Sequence, residues 1–156
     1  MNYDSSVFAG IGMLTLAEEG GILREIRFGE ESCEGWIRSE TETIARAKRE
    51  LDEYFRGCRR VFTVPHQGKG TAFQQKVWKV LEEIPYGETR SYKEVADAAG
   101  NVKACRAVGM ANHANPLPII VPCHRVIGAD GSLTGYGGGL DIKRRLLTLE
   151  GISWRE

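Results

Sequence analysis

Apolar positions change their spacing along this chain, from strand-like in the first third to helix-like in the rest. Val7–Leu16 is largely apolar, Glu18–Gly21 is turn-like, and Ile22, Arg24, Ile26 and Phe28 follow at a spacing of two. Together these predict a β-hairpin. Ser39-Glu40-Thr41-Glu42 has the S-x-x-E form of a capping box. After it, Ile44, Ala47, Leu51, Tyr54 and Phe55 recur at helical spacing until Gly57 stops the run. Val61–Val64 reads as one further strand, and Pro65-His66-Gln67-Gly68-Lys69-Gly70 as a linker.

Beyond the linker the periodicity is helical. Phe73, Val77, Val80, Leu81 and Ile84 form one apolar face that Pro85-Tyr86-Gly87 ends. Ser91-Tyr92-Lys93-Glu94 is a second capping box, opening a short helix closed by Gly100; Asn101 is a good N-cap for the next. Two short helices across a tight turn have the form of a helix-turn-helix. Arg125–Ile127 and Ser132-Leu133 flank Asp130-Gly131, a favoured hairpin turn suited to a small wing. A last helix is expected from Asp141 to Glu150. The fold class is therefore α+β. A small α/β lobe over residues 1–65 precedes a mostly helical lobe with a winged helix-turn-helix over residues 66–156.

Composition adds little until it is divided. The 42% hydrophobic and 27% charged residues are ordinary for a globular protein, and the formal net charge is zero. Residues 1–65, however, carry 9 Lys/Arg against 12 Asp/Glu, and residues 66–156 carry 12 against 9. A basic second half suits a polyanionic partner. The first apolar stretch lacks a basic leader and is broken by glycines, and no apolar run approaches membrane-spanning length, so a cytoplasmic location away from membranes is expected.

The second helix of the pair divides into two faces. Ala104, Val108 and Ala111 share one side, with Cys105 nearby, while Lys103, Arg106, Met110 and His113 fall on the other. A small apolar back and a front of two cations, one apolar side chain and an imidazole fit either an amphipathic helix with a solvated face or a helix that presents Arg106 to DNA.

Cys33, Cys58, Cys105 and Cys123 form no C-x-x-C pair and stand at no zinc-finger spacing from a histidine, so no metal is expected. Val121-Pro122-Cys123-His124-Arg125-Val126 sets one of them apart. A thiol attacks as thiolate, and neighbouring cationic or basic groups lower its pKa. His124 can serve as base if another group orients its second nitrogen, and Glu150 is the kind of carboxylate that could do so.

Pro122-Cys123-His124-Arg125-Val126 resembles the active-site signature of the O6-alkylguanine-DNA alkyltransferases. The resemblance extends through Gly70-Thr71-Ala72-Phe73-Gln74, Val77-Trp78, Ile84-Pro85-Tyr86-Gly87-Glu88-Thr89 and Ser91-Tyr92. It continues in Ala107-Val108-Gly109, Asn115-Pro116, Gly135-Tyr136-Gly137-Gly138-Gly139, Lys143 and Leu146-Leu147-Thr148-Leu149-Glu150-Gly151. In the first 65 residues it rests mainly on Leu51-Asp52-Glu53-Tyr54-Phe55-Arg56-Gly57.

The resemblance implies direct repair of double-stranded DNA bearing alkylated guanine, in a single turnover, by a monomer that approaches the minor groove and needs no cofactor. It implies that Cys123 accepts the alkyl group, with His124 as base through a bound water, Glu150 as its orienter and Asn115 tying the active-site turn. Tyr92 would act on the 3′ phosphate and the leaving guanine. Arg106 would fill the gap left by a flipped nucleotide, with Ala104, Cys105 and Gly109 also against the DNA. Pro118, Val126, Tyr136 and Gly137 would line the lesion pocket. Gly137 stands where some relatives carry a hydrogen-bonding side chain, and Cys33, Cys58 and His66 do not reproduce the metal ligands some relatives have. Two rivals remain: a lesion-binding relative, in which tryptophan commonly replaces the reactive cysteine, and a Cys-His hydrolase, for which the chain has no clear oxyanion signature.

Overall fold

A computed structural model describes residues 1–155; Glu156, the last residue of the expected second lobe, lies outside them. The chain divides into two compact units, Met1–Lys69 and the chain from Gly70 onward. The division falls four residues beyond the expected 65/66 boundary for a local reason. Leu23 N donates to Pro65 O at 2.9 Å and Gln67 N to Leu23 O at 3.0 Å, so the start of the supposed linker runs beside the sheet.

The first unit holds a four-stranded sheet in the order β3-β2-β1-β4 with one helix upon it. The strands are β1 (Asn2–Phe8), β2 (Gly12–Glu19), β3 (Ile22–Phe28) and β4 (Ile37–Arg38), and the helix is α1 (Glu42–Phe55). The expected single hairpin is thus a three-strand meander. The apolar run from Val7 conceals a turn, because Gly10 and Gly12 take positive φ of 78° and 96° that reverse the chain inside it. Leu14, Leu16, Leu23 and Ile26 meet Ile44, Ala47, Leu51 and Tyr54 in a core closed to solvent. The cap of α1 is Thr41 rather than Ser39: its side chain accepts from Ile44 N, while Ser39 N is engaged by Tyr3 O. Val61–Val64 forms no strand. Its backbone is held by buried Glu50, which accepts from Thr63 N at 2.8 Å and Val64 N at 3.1 Å.

The second unit is helical: α2 (Ala72–Glu82), α3 (Tyr92–Ala98), α4 (Cys105–His113) and α5 (Leu140–Leu149). The Ser91/Glu94 capping box of α3 is present, and Thr71/Gln74 forms another on α2. Asn101 caps a turn instead of α4, its side chain accepting from Lys103 N at 3.1 Å, and α4 starts after Ala104 without a side-chain cap. Across Asp130-Gly131 the chain makes a tight turn, with Gly128 N donating to Ser132 O at 2.8 Å. Strand β6 (Val126–Ile127) pairs in parallel with β5 (Arg90–Ser91) rather than across that turn. Trp78 ties α2 to α4 through Nε1, which donates to Ala111 O at 2.9 Å. Gly70 is small because of that indole: a Cβ there would lie 2.4 Å from it. Among the described residues no helix is long and apolar enough to cross a membrane.

Candidate active site

Residues 117–127 run through the interior of the second unit, every one of them buried, and are irregular up to the 3-10 turn at Cys123 and the short strand β6. Buried backbone without a regular ladder needs partners residue by residue, and supplying them organises the site. Asn115 clamps the start: its Nδ2 donates to Val121 O at 2.8 Å and its Oδ1 accepts from Leu117 N at 3.0 Å. Inside the clamp Ile119 has φ of +76°, a costly conformation for a β-branched residue, tolerated because its surroundings over-determine it. Asn112 Nδ2 donates to Cys123 O at 3.4 Å, and Lys143 Nζ to Val126 O at 2.9 Å.

Cys123, His124 and Arg125 form a 3-10 turn at the centre of this segment. Glu150, the C-cap of α5, meets them from 26 residues further along the chain. Its carboxylate Oε2 lies 2.7 Å from His124 Nε2, and Oε1 accepts from Arg125 Nε at 2.8 Å and Gly87 N at 3.1 Å. Arg125 Nη2 adds a contact at 3.1 Å, and its Nη1 donates to Ile84 O at 2.7 Å. A carboxylate that takes four donors acts here only as acceptor, so the imidazole hydrogen sits on Nε2. Nδ1 is then the acceptor nitrogen, and it is buried without a protein partner, as is Asn112 Oδ1.

Burial pulls the His124 pKa below its ordinary value, against Glu150, which pulls the other way. The imidazole is neutral and able to accept a proton. Burial also pushes the Cys123 thiol up, opposed by hydrogen bonds from Asn115 and Tyr136 and by the positive charge of Lys143. The adjacent His and Arg were expected to lower this thiol. Desolvation outweighs them, because His124 is uncharged and the charge of Arg125 is spent on Glu150.

The structure gathers Cys123, His124, Glu150 and Asn115, with Tyr136 near enough to lower the thiol pKa and Val126 buried in the same segment. Pro118 is buried in the clamped loop, and Gly137 is exposed with nothing within 4 Å of where a Cβ would stand. The hydroxyl of Tyr92 is hydrogen-bonded to Thr134, and its ring lies 3.9 Å from a Cβ built on Gly109. Arg106 is not part of the cluster. It stands exposed on the outer face of α4 with Met110 and His113, while Val108 and Ala111 are buried on the inner face; Lys103, expected on the same face, is exposed in the turn before the helix. Ala104 and Cys105 are half-buried at the start of that helix. Lys143, Asn112 and Thr134 had no site role in the sequence reading, and Arg125 figured there only as a cationic neighbour of the thiol.

Comparison with known proteins places these features in company. Residues 72–152 match the family model described as 6-O-methylguanine DNA methyltransferase, DNA binding domain. The chain is 48% identical to the constitutive methylated-DNA–protein-cysteine methyltransferase of Bacillus subtilis, over 100% of this chain and 99% of that one. It is 51% identical to the methylated-DNA–protein-cysteine methyltransferase of Methanosarcina acetivorans, over 90% and 93%. The crystal structure of Mycobacterium tuberculosis OGT in complex with DNA superposes with a TM-score of 0.89 at 49% identity, covering 97% of this chain and 93% of the other.

Proposed function

The chain belongs to the family of methylated-DNA–protein-cysteine methyltransferases, and on that premise we propose that Cys123 repairs DNA by taking the alkyl group from O6-alkylguanine onto its own sulfur. The carrying observation is the buried pairing of His124 with Glu150 beside Cys123, which leaves Nδ1 of a neutral imidazole as a proton acceptor. Cys123 gives its proton to His124 Nδ1 through a water, and Glu150 steadies the imidazolium that forms. The thiolate then attacks the alkyl carbon. A sulfur–carbon bond forms, the carbon–O6 bond breaks, and the electron pair leaves with guanine, which is protonated with the help of Tyr92. The thioether is stable, so each molecule acts once.

A base inside a duplex cannot present its alkyl carbon in line to a buried thiol, so the nucleotide is rotated out at a cost of a few kcal/mol, least for a poorly paired base. Arg106, on the exposed face of α4, fills the gap from the minor groove, with Ala104, Cys105 and Gly109 on the same approach. Pro118, Val126, Tyr136 and Gly137 surround the lesion, and O4-alkylthymine is a second substrate of the same chemistry. The protein works as a monomer in the cytoplasm.

Intact-mass measurement and peptide mapping after reaction with a methylated duplex test this reading. The expected result is one added methyl group, on the peptide containing Cys123. Modification of Cys33, Cys58 or Cys105 instead overturns it. A lesion-binding protein gains no mass, and a hydrolase turns over repeatedly without keeping the group.

A further inference from the structure

Asn112 is a polar residue on the buried side of α4, 6% exposed beside Val108 and Ala111. Asparagine competes with helix backbone for hydrogen bonds, and a buried amide that is only half satisfied is costly. Its Nδ2 donates to Cys123 O at 3.4 Å, the peptide oxygen between the thiol residue and the base residue. That bond fixes which way the amide faces, because the flipped form would set Oδ1 against a carbonyl oxygen. Oδ1 is left buried without a protein partner. His124 Nδ1, on the residue that follows Cys123, is buried in the same condition.

With the imidazole hydrogen on Nε2, both atoms accept and neither donates. Each is tied to the peptide that joins Cys123 to His124, one through the amide bond to its oxygen, the other through the side chain it carries. One water satisfies both, because it has two hydrogens to give. Its lone pairs then remain for a donor, and the Cys123 thiol supplies one. Three partners are about what a buried water has.

We propose that Asn112 is a positioning residue whose Oδ1 orients the water that carries the Cys123 proton to His124. This rests on the alkyl-transfer reading above. A water held by His124 alone is free to turn about that one bond. With Asn112 taking one hydrogen, the other is committed to Nδ1 and the lone pairs face the sulfur. The S–H bond then breaks towards the water oxygen as an O–H bond of the water breaks towards Nδ1. Water is regenerated, the electron pair stays on sulfur, and a thiolate and an imidazolium replace two neutral groups. The titratable and charged groups around them are Glu150 and Lys143 from α5, Arg125 on the same turn, Tyr92 from α3 and Tyr136 from the stretch before α5. On α4, Arg106 and His113 are exposed.

A proton that passes between two groups of the protein is neither taken from solvent nor given to it. The step is therefore insensitive to pH while thiol and imidazole both start neutral, an interval that burial widens by pushing the thiol up and the imidazole down. A thiol deprived of this path must ionise to solvent, and that ionisation grows with pH. Single-turnover transfer from free O6-benzylguanine to Cys123, taken as the ratio of variant to wild-type rate from neutral to alkaline pH, separates the two. Asn112→Leu keeps the bulk and suits a helix but offers no acceptor. Its ratio should lie about tenfold below one at neutral pH, a smaller loss than the ~10²–10⁴ of an entire general base, and should climb with pH. Asn112→Asp keeps an acceptor oxygen and gives up the amide donor to Cys123 O, so its ratio should not vary with pH. An Asn112→Leu ratio that equals one, or is low and independent of pH, overturns the inference. So does an Asn112→Asp ratio that tracks Asn112→Leu, since the amide would then serve only to hold the Cys123 carbonyl. A high-resolution crystal structure of the wild-type protein, which needs neither variant to fold, should show one ordered water within reach of Asn112 Oδ1, His124 Nδ1 and Cys123 Sγ. No water there overturns the inference while leaving the alkyl-transfer reading in place. Wild-type protein that takes no benzyl group on Cys123 removes both readings together.

Discussion

Two buried glutamates, Glu50 in the first unit and Glu150 in the second, stand in opposite surroundings. Glu50, on α1, gives its carboxylate to Thr63 N, Val64 N and the Thr63 hydroxyl, with Arg46 closing the set at 3.1 Å. Burial alone would push Glu50 up, but these donors together hold it below the usual carboxylate range. It replaces the strand that residues 61–64 do not form. Glu150 is equally hidden, yet two of its four donors come from Arg125, itself a buried charge, and a third from a histidine whose other nitrogen has no protein partner. The first carboxylate completes a scaffold. On the proposed alkyl-transfer reading the second orients the imidazole beside Cys123, and the unpartnered atoms and shifted lysine around it fit that reading.

The strongest way to break this contrast is Cys123→Ser, which should abolish alkyl transfer while retaining the fold and DNA binding. Residual methyl transfer, mapped to any other cysteine, would show that the polarised site lies elsewhere. Glu150→Gln keeps the shape but cannot stabilise an imidazolium, so single-turnover transfer should slow by about 10²-fold, the low end for general acid–base assistance. If the rate and its pH profile are unchanged, the His124 relay is wrong.

Arg106→Ala probes the exposed face of the same unit. It should slow duplex repair by about tenfold or more, because the few kcal/mol of base extrusion is then unsupported. Reaction with free benzylguanine, which needs no extrusion, should change little. Equal losses on both substrates would make Arg106 a support of the active-site fold.

Glu50→Gln should leave the transfer rate of the folded protein intact and lower stability by about 2 kcal/mol, the cost of weakening hydrogen bonds to buried amides. Denaturant unfolding measures the loss, and an accompanying fall in transfer would erase the distinction between the two glutamates.

The smallest effect separates the units by pH. His124 has a lowered pKa, so below 6.5 the unfolded chain binds a proton that the folded protein refuses, and stability falls as pH drops from there. Glu50 is lowered too, but as a carboxylate. Its contribution is complete above 4.5 and is lost only as pH falls through its folded value. Hydrogen exchange should therefore show α5 losing protection at a higher pH than α1, and the reverse order would contradict both assignments.

Local features of the chain were enough to predict all five helices, because each carries a periodicity, an end signal or both within a dozen residues, although α4 starts later than Asn101 suggested. They were also enough to single out Cys123-His124-Arg125, since a cysteine beside a base is a chemical statement that needs no coordinates. The run from Val7 misled because an apolar stretch looks the same whether or not two glycines turn it back on itself. Ser39 misled as a cap because its amide was already taken by Tyr3 of the sheet.

Tertiary structure alone decided which distant groups meet. The family resemblance implied that Glu150 orients His124, but nothing near Glu150 in the sequence says that it also faces Arg125, and nothing near Lys143 points to Val126 and Thr134. The same holds for β6, which pairs with β5 rather than folding back on its own turn. The physical reason is common to all three. Residues 117–127 are buried and for the most part irregular, so most of their polar groups must be satisfied one by one, and the partners are chosen by where other elements bring their atoms in space. Spacing along the chain records which face of a helix is apolar, but not which buried atom at its end completes a hydrogen bond.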